Sequence, residues 1–441
     1  MQRNKCSVIL VKRAAPVCRW TSRRSLRRPT NVLAVVAVSI HLAACNEPDG
    51  SRAVDPAVDH ALAAQNPALV AEGKTIFRFD TFGDETFWTD TLRMHEVIRT
   101  SVSPNLALQV GLKVDADALP SSVKAGIQNK TIDLDAPATT VALLELGAVV
   151  GVVGEVDANN VLTRVGITCA LCHSTVDNSF SAGIGSRLDG WPNRDLNVGA
   201  IVALSPALTA AQKLVYNSWG RGKYDPRFNI DGKNIPVVLP PAFGLRHVKR
   251  EIYTGDDVVS YWNAYVAITQ MHGHGHFVDA RIGVDKNNPP DLVSAKLEPL
   301  RAYQFSLEAP EPVEGAVDAA VQRGRAVFNG VARCASCHLG DARTDVNANR
   351  LHPAEEVGQN PAYAQRSVTR MYRTTPLRGL WHPPQLTGPY FHDGSAATLE
   401  AVVDHYVKLF SLSLTTQQRM ELVEWFLALP SPAVPFCCRS G

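Results

Sequence analysis

Cys169-Ala-Leu-Cys172-His173 and Cys334-Ala-Ser-Cys337-His338 are two copies of one five-residue pattern. Two thiols three residues apart can reach the two vinyl groups of one haem and form thioethers, and the adjacent histidine then supplies a ligand to the iron. A redox dithiol or half of a zinc site would not need the histidine in both copies. The pattern therefore predicts two covalently bound c-type haems, with His173 and His338 as their proximal ligands.

Residues 1–44 have the features of an export signal. They contain nine Lys and Arg residues and no acidic residue, and the apolar run from Val32 to Ile40 is followed by small residues. This run is too short to span a bilayer, so it predicts a secretory signal and a periplasmic location. Leu42-Ala-Ala-Cys45 resembles the bacterial lipobox. Cys45 is thus the expected lipidation site of a membrane-anchored lipoprotein, with ordinary cleavage nearby as the alternative.

The charge of the exported chain argues against one class of partner. The whole chain has a formal charge of +2, and removal of the nine positive residues leaves about −7. A mildly acidic protein is a poor candidate for binding nucleic acid, since phosphates attract basic surfaces.

The second motif lies between two helical patterns. Gly324 and Phe328 share one face of a helix before it. After it, Thr415 and Gln418 form a capping-box pattern that begins an amphipathic helix, and Pro430 ends that helix. A helix with a small residue at the crossing point, a haem motif, and a C-terminal helix packed across the first helix make up the plan of cytochrome c.

The first motif repeats this plan with an interruption. Gly73 and Phe77 show the same Gly-x-x-x-Phe spacing, but the first haem cysteine comes 92 residues after Phe77, whereas the interval in the second copy is six residues. The pattern predicts an insertion at 78–168, made of short helices and loops with a hairpin around 147–156.

The 397 residues that follow the leader also predict two domains by length. We therefore expect a mainly α fold with two cytochrome c-like haem domains in tandem. The expected segments are a tether at 45–66, a first domain at 67–310 that contains the insertion, a second domain at 311–432 and a tail at 433–441. Cys437 and Cys438 in the tail have no predicted function.

The second domain resembles a known family. Tyr372-Arg-Thr-Thr-Pro-Leu-Arg378, Leu386-Thr-Gly-Pro-Tyr-Phe-His-Asp-Gly-Ser395 and Thr398-Leu-Glu-Ala-Val-Val-Asp-His-Tyr406 are similar to the second half of bacterial di-haem cytochrome c peroxidases. The same superfamily includes the di-haem enzymes that mature methylamine dehydrogenase. The resemblance is specific over about 372–406 and becomes weak before residue 300.

The resemblance implies that Tyr406 is the distal ligand of haem 2, the haem of the second motif. Peroxidases carry Met at this position, and the maturation enzymes carry Tyr. A tyrosinate favours ferric and higher-valent iron, whereas Met raises the reduction potential. The alternatives are that Tyr406 is a packed helical residue and that His405 or Met420 binds instead. Met371 is expected to lie in the core.

The resemblance also implies a Ca²⁺ ion between the haem domains. Thr387 and Pro389 occupy the positions at which the family offers backbone carbonyls. A side-chain amide from the first domain, from Asn193 or Asn197, would complete the site.

The surroundings of haem 1, the haem of the first motif, are less defined. Tyr253 takes the place of the family's tryptophan between the haems. About twenty residues later, where the family has an acidic residue, this chain has His272, His274 and His276. They are candidates for a distal acid/base, a sixth iron ligand, a surface metal site or an inert loop, and His272 is the preferred acid/base.

Three functions fit these features. The preferred one is a periplasmic oxidoreductase that uses hydrogen peroxide or another small oxidant, relays electrons between the haems and exchanges them with a small redox protein. A non-catalytic electron-transfer cytochrome and a di-haem oxygenase are the alternatives. We prefer the enzyme because pocket polarity and access to the iron decide the chemistry of a haem.

Overall fold

The structure is a computed structural model that describes residues 66–309, 312, 318–381 and 388–429. The predicted leader at 1–44, Cys45, nearly all of the tether, Thr387 and the tail with its two cysteines lie outside the described residues. All described residues belong to one unit, Val54–Gly441.

Helices dominate the described residues, as the predicted mainly α fold requires. The α-helices are α1 (Pro67–Phe79), α2 (Met94–Ser101), α3 (Pro104–Gln109), α4 (Ser121–Gln128), α5 (Pro137–Glu145), α6 (Ala170–His173), α7 (Val198–Ala203), α8 (Ala210–Asn217), α9 (Phe228–Asp231), α10 (Val259–Tyr265), α11 (Leu297–Ser306), α12 (Ala319–Asn329), α13 (Pro361–Ala364), α14 (Leu399–Leu409) and α15 (Thr416–Leu427). Two π-helical turns lie at Thr86–Thr91 and Val266–Gln270.

The strands of the described residues pair only in twos. They are β1 (Val114–Asp115), β2 (Val152–Val156), β3 (Leu162–Ile167), β4 (Ser174–Val176), β5 (Ile184–Gly185), β6 (Arg187–Asp189), β7 (Lys223–Tyr224), β8 (Val237–Val238), β9 (Gly275–Asp279) and β10 (Val284–Asn288). Strand β1 pairs with β5 in parallel, and the other pairs, β2 with β3, β4 with β6, β7 with β8 and β9 with β10, are antiparallel.

Two helix pairs hold their backbones in direct contact through a glycine. Helix α1 packs on α11, and α12 packs on α15. A Cβ atom at Gly73 would overlap the carbonyl oxygen of Pro299, and one at Gly324 would overlap that of Glu421. The capping box of Thr415 and Gln418 at the start of α15 is confirmed.

Each helix pair contributes to its own apolar cluster. Phe77 of α1 and Leu300 of α11 lie in a cluster that reaches Cys169. Phe328 of α12 and Trp425 of α15 lie in another, which reaches Cys334. The glycine crossings therefore set the spacing of the side chains beside both motifs.

The segment between α1 and the first motif consists of short helices, loops and a hairpin, as predicted. The hairpin strands are β2 and β3, however, so the hairpin spans 152–167 and only its first strand lies within the predicted 147–156. Buried residues from α5, the hairpin and β5, including Leu143, Leu162 and Ile184, form an apolar cluster of their own.

Buried ion pairs join residues before 300 to residues after 360. The Arg366 side chain is fully buried and pairs with Asp225 and Asp231. Arg227 pairs with Asp256, and its guanidinium also donates to the Arg366 carbonyl. Removing one partner of such a pair leaves an uncompensated buried charge, so these contacts fix the mutual register of the two segments.

The expectation that Met371 is a core residue is wrong, because 39% of its surface is exposed. The backbone adopts a positive φ of 56° at Arg370, and the buried side chain of this stretch is that of the next residue, Tyr372. Among the described residues, no helix combines the length and the apolar character that crossing a membrane requires.

Gly324→Ala should lower the free energy of unfolding by about 1–3 kcal/mol, since the added methyl group forces α12 away from α15. Ala326→Ser on the exposed face of α12 is the control and should change stability by less than about 0.5 kcal/mol. Guanidinium unfolding followed by circular dichroism measures both variants. Equal free energies of unfolding for the Gly324→Ala and Ala326→Ser variants would contradict the close contact of α12 with α15.

Candidate haem sites

The second motif forms a tight turn. Cys334–Ser336 is a 3₁₀ turn that follows Arg333 in the left-handed conformation, with φ 56°. The His338 amide donates to the Cys334 carbonyl at 3.0 Å, which closes the turn. The two thiols are partly exposed, and the described cysteines are all free. The turn therefore gathers two thiols and an imidazole on one short stretch of chain.

The His338 ring is held in one orientation by the backbone. Its Nδ1 lies 2.9 Å from the carbonyl oxygen of Arg343. A carbonyl can only accept, so Nδ1 carries the proton and Nε2 remains as the ligating nitrogen. Burial lowers the pKa of His338 to about 4, which keeps the ring in the neutral form that binds metals.

A cavity of about 590 Å³ adjoins His338. Its walls come from α12, α15 and the motif, and include Phe328, Trp425 and Leu429. This volume lies within the usual range for cofactor pockets, and the lining is predominantly apolar, as a porphyrin requires. The residues present at the second motif thus fit a covalently attached haem.

Tyr406 of α14 lies near the same thiols. Burial, together with the neighbouring Cys337 and Cys334, raises the pKa of Tyr406 to about 12. Its ring stacks on Phe410, with ring centres 5.9 Å apart.

The two alternative ligands are less well placed. The Nε2 atom of His405 lies 3.0 Å from the Val357 carbonyl oxygen, so that nitrogen is engaged in a hydrogen bond. Met420 has 58% of its surface exposed. Tyr406 therefore remains the preferred distal ligand.

The first motif has the same local design. Cys169 precedes α6, and the His173 amide donates to the Cys169 carbonyl at 3.2 Å. The His173 Nδ1 lies 3.1 Å from the Pro240 carbonyl oxygen, and burial lowers its pKa to about 4. The histidine of each motif is thus neutral and held by a backbone carbonyl that comes later in the chain.

The thiols of the first motif do not suit a redox dithiol. Burial raises the pKa of Cys169 and of Cys172 to about 12. Reactive thiols of CxxC redox proteins have lowered pKa values, because the thiolate is the nucleophile. This electrostatic environment therefore argues against the redox dithiol.

The three histidines after Tyr253 have separate environments. His272 has a φ of 68°, and its ring stacks on Phe87 at 3.6 Å between centres, beside a pocket of about 270 Å³. The His274 Nδ1 faces the Pro289 carbonyl at 3.0 Å, and the exposed His276 lies 3.7 Å from Asp285.

The alternative of a shared metal site for these histidines is not supported. Among the described residues, the group with metal-ligating spacing is Cys337, Asp345 and His352. His276 lies on β9, which begins at Gly275, whereas His272 and His274 precede the strand, so the strand does not line up the three rings on one face. Burial lowers the pKa of His272 to about 4, and its imidazole is therefore neutral above that pH.

Tyr253 connects the two halves of the described chain. Its hydroxyl donates to the Val238 carbonyl at 3.0 Å, and its own carbonyl accepts from the Arg373 amide at 2.9 Å. Its ring also contacts His392, at 6.3 Å between centres. Tyr253, which the family resemblance places between the haems, thus contacts residues before 300 and residues after 360.

Asn193 fits a cation site better than Asn197 does. The side chain of Asn193 is 2% exposed, its Nδ2 donates to the Gly111 carbonyl at 2.9 Å, and its buried Oδ1 has no hydrogen-bond partner. The Asn197 side chain instead caps α7 by accepting from Ala200. The adjoining Arg194 is electrostatically close to Tyr390, which follows Pro389. The unpaired Oδ1 suits the all-oxygen preference of Ca²⁺.

Two buried pairs were missed by the sequence analysis. Asp345 and the fully buried His352 lie beside Cys337, with their side chains 3.0 Å apart. Tyr372 and His392 form a second pair, 3.1 Å apart. Their residues are 7 and 20 positions apart in sequence, and no periodic pattern joins them. The Tyr and His were present in the matched motifs, but nothing in one sequence indicates that they touch.

The chain has recognisable relatives over part of its length. It is 40% identical over 100 residues to the methylamine utilization protein MauG of Methylorubrum extorquens, which covers 22% of this chain and 27% of that protein. It is 35% identical over 99 residues to MauG of Methylophilus methylotrophus, covering 21% and 28%. It is 30% identical over 158 residues to the cytochrome-c peroxidase IdrP1 of Denitromonas iodatirespirans, covering 26% and 42%.

The chain therefore spans about a quarter to two fifths of the length of these relatives. No protein-family model matches it. Two solved structures are similar only at low TM-scores, and neither is used to assign the fold or the function. Hydrazine synthase of Kuenenia stuttgartiensis has a TM-score of 0.30 at 18% identity, covering 48% of this chain and 74% of that one. A MauG-like protein associated with microbial copper homeostasis has a TM-score of 0.24 at 21% identity, covering 32% and 55%.

Cys172→Ala and Cys337→Ala should each leave one motif with a single thioether, which weakens retention of that haem. The double variants Cys169→Ala/Cys172→Ala and Cys334→Ala/Cys337→Ala should each reduce covalent haem from two per chain to one. Mass spectrometry and haem staining of denaturing gels measure this. Extraction of either haem from the wild-type protein by acid acetone would contradict covalent attachment.

Proposed function

We propose that this chain, which belongs to the superfamily of di-haem cytochrome c peroxidases and MauG proteins, is an exported oxidoreductase that carries two covalent haems and uses peroxide. The observation that carries the proposal is the pair of CxxCH motifs. Each ends in a neutral, half-buried histidine whose Nδ1 is held by a backbone carbonyl.

The proposed architecture is two cytochrome c-like domains in tandem, the first with the insertion at 78–168. The two glycine crossings support it, since Gly73 on Pro299 and Gly324 on Glu421 repeat one packing arrangement. Each crossing adjoins an apolar cluster that includes a cysteine of the neighbouring motif. A duplicated haem unit accounts for both similarities.

A haem bound at each motif supplies an iron that can change oxidation state. His173 and His338 would hold the haem irons through their Nε2 atoms, and Tyr406 would supply an oxygen ligand at the second motif. An anionic oxygen ligand would favour oxidised iron, so this haem would be suited to storing oxidising equivalents. Loss of the Tyr406 proton against its raised pKa requires the metal, and the tyrosinate is therefore expected only in the haem-loaded protein.

His272 is the proposed acid/base for peroxide at haem 1. Because its pKa is about 4, the imidazole is neutral at ordinary pH and can accept a proton from a peroxide and return it to the leaving oxygen. The small pocket beside it contains Lys286 and Asn288, which gives the site polar neighbours. Tyr253 is the proposed electron relay between the haems, since it is hydrogen-bonded to a residue before 300 and to a residue after 360.

The proposed Ca²⁺ site uses Asn193, Pro389 and Thr387 between the two domains. The unpaired Oδ1 of Asn193 supports it. The electron partner is proposed to be a small redox protein, and hydrogen peroxide the oxidant. The leader and Cys45 are the basis for proposing a periplasmic lipoprotein. The mildly acidic charge of the exported chain is the basis for proposing no nucleic-acid partner.

Tyr406→Phe should abolish the low-spin ferric signal of haem 2 or replace it with one of a different ligand, while the haem content stays at two. Tyr406→His should restore a low-spin signal with two nitrogen ligands. Phe410→Leu, which removes only the stacked neighbour, is the control and should keep the wild-type spectrum. An unchanged haem 2 spectrum in Tyr406→Phe means that the ligand lies elsewhere.

His272→Ala should reduce the rate of peroxide-dependent oxidation of a reduced small cytochrome by about 10²–10⁴-fold. His276→Ala, at an exposed position of the same stretch, is the matched control and should keep the wild-type rate. In the wild type the rate should fall as the pH drops through about 4, where the imidazole becomes charged. Stopped-flow absorbance measures the rates. Equal loss in both variants, or no loss in either, would exclude His272 as the acid/base.

A further inference from the structure

Three tyrosines surround one buried histidine at the junction of the two segments. The ring centre of His392 lies 4.8 Å from that of Tyr372, 5.8 Å from that of Tyr363 and 6.3 Å from that of Tyr253. His392, Tyr372 and Tyr363 are all almost completely buried. The cluster therefore begins at the proposed inter-haem residue, Tyr253, and extends into the second segment.

Tyr372 and His392 form the hydrogen-bonded part of this cluster. The Tyr372 hydroxyl lies 3.1 Å from His392 Nε2 and 2.5 Å from the carbonyl oxygen of Asn360. The hydroxyl donates to the Asn360 carbonyl, and the direction of its contact with His392 depends on the imidazole tautomer. In the tautomer protonated at Nδ1, Nε2 is the one neighbour of this hydroxyl that is basic enough to keep its proton. Burial raises the pKa of Tyr372 and lowers that of His392, so the pair consists of a neutral phenol and a neutral imidazole.

The cluster is connected to Tyr253 through one strand. The Tyr253 hydroxyl donates to the Val238 carbonyl, and the Val238 amide donates to the His392 carbonyl at 2.8 Å. Val238 belongs to β8 and is fully buried. The Tyr253 side chain and the His392 backbone are thus both hydrogen-bonded to the main chain of one buried residue.

We infer that Tyr372 is a redox-active tyrosine and that His392 accepts its phenolic proton, so that one oxidising equivalent from the haem pair is held in the protein beside Tyr253. The inference rests on the proposed function, in which hydrogen peroxide is the two-electron oxidant. Tyr372 loses one electron to the oxidised haem pair through Tyr253. The O–H bond breaks, the proton forms an N–H bond at His392 Nε2, and a neutral tyrosyl radical and an imidazolium result.

The other two tyrosines lack this proton acceptor. Tyr253 donates to a peptide carbonyl, which is far less basic than imidazole. Tyr363 meets His392 through a nearly parallel ring contact, with 24° between the planes. An oxidised phenol is strongly acidic, so oxidation is easiest where a base can take the proton at once. Tyr372 is the member of the cluster with such a base.

The charged groups that face His392 suit a transient imidazolium. Asp393 raises the pKa of His392, and Lys223 lowers it. The Lys223 ammonium donates to the carbonyl of Asp393, which keeps this charge close to the backbone. The adjacent carboxylate can therefore stabilise the positive charge that the proton brings.

Freeze-quench EPR of the diferric holoprotein after one equivalent of hydrogen peroxide tests the inference. Ring-deuterated tyrosine should narrow the radical signal, which identifies it as tyrosyl. Tyr372→Phe should abolish that signal while both haem spectra and haem content stay unchanged. Tyr363→Phe, at the neighbouring ring without the hydrogen bond, is the matched control and should retain it. A tyrosyl signal of full intensity in Tyr372→Phe would overturn the inference.

His392→Gln tests the proton acceptor separately. An amide can hydrogen-bond to the phenol but cannot keep its proton. Formation of the radical should therefore slow by about 10²-fold or more, the usual lower bound for loss of a proton-transfer group. An unchanged rate in this variant would remove His392 from the step.

A second oxidant separates this inference from the proposed function. Photogenerated ruthenium(III) tris-bipyridine oxidises the haems and the protein without peroxide chemistry. If peroxide leaves the haems unchanged but the ruthenium oxidant produces a tyrosyl radical that Tyr372→Phe removes, the peroxidase proposal fails and the redox tyrosine stands. If peroxide oxidises the haems and neither oxidant produces a Tyr372 radical, the redox tyrosine fails and the peroxidase proposal stands.

Discussion

The backbone contact between α12 and α15 at Gly324 determines the geometry of the cavity beside the second CxxCH motif. Because a side chain at Gly324 would overlap the Glu421 carbonyl, the helices cross at the closest possible approach. This crossing sets the separation of Phe328 and Trp425, which form one wall of the cavity at His338. The same contact recurs at Gly73. Both haem motifs thus depend on glycines that carry no chemistry themselves.

The junction between the residues before 300 and the residues after 360 contains both the buried ion pairs and the aromatic cluster of Tyr253 and His392. Buried ion pairs centred on Arg366 keep the segments in register, and the cost of breaking such pairs favours a rigid junction. Tyr253 and His392 are fixed at this junction by hydrogen bonds to Val238. If haems occupy both motifs as proposed, rigid aromatic rings at this junction are suited to moving electrons between them without large structural change.

Local patterns could be predicted from the sequence, and tertiary contacts could not. The CxxCH spacing, the helix cap at Thr415 and the crossing glycines all depend on neighbouring residues. The carbonyl partners of the proximal histidines differ in sequence distance, since Pro240 lies 67 residues after His173 whereas Arg343 lies 5 after His338. The Tyr372–His392 pair, the exposed Met371 and the dispersed histidines after Tyr253 were not predicted either. Each depends on contacts with residues that are distant in sequence.

We propose that one chain holds two haems with different iron environments, one open to peroxide and one closed by a protein ligand. Ferric EPR of the purified holoprotein distinguishes the two environments. We expect one high-spin signal from haem 1 and one low-spin signal from haem 2, in equal amounts. Two low-spin signals of equal intensity would contradict it and would leave an electron-transfer cytochrome as the better description.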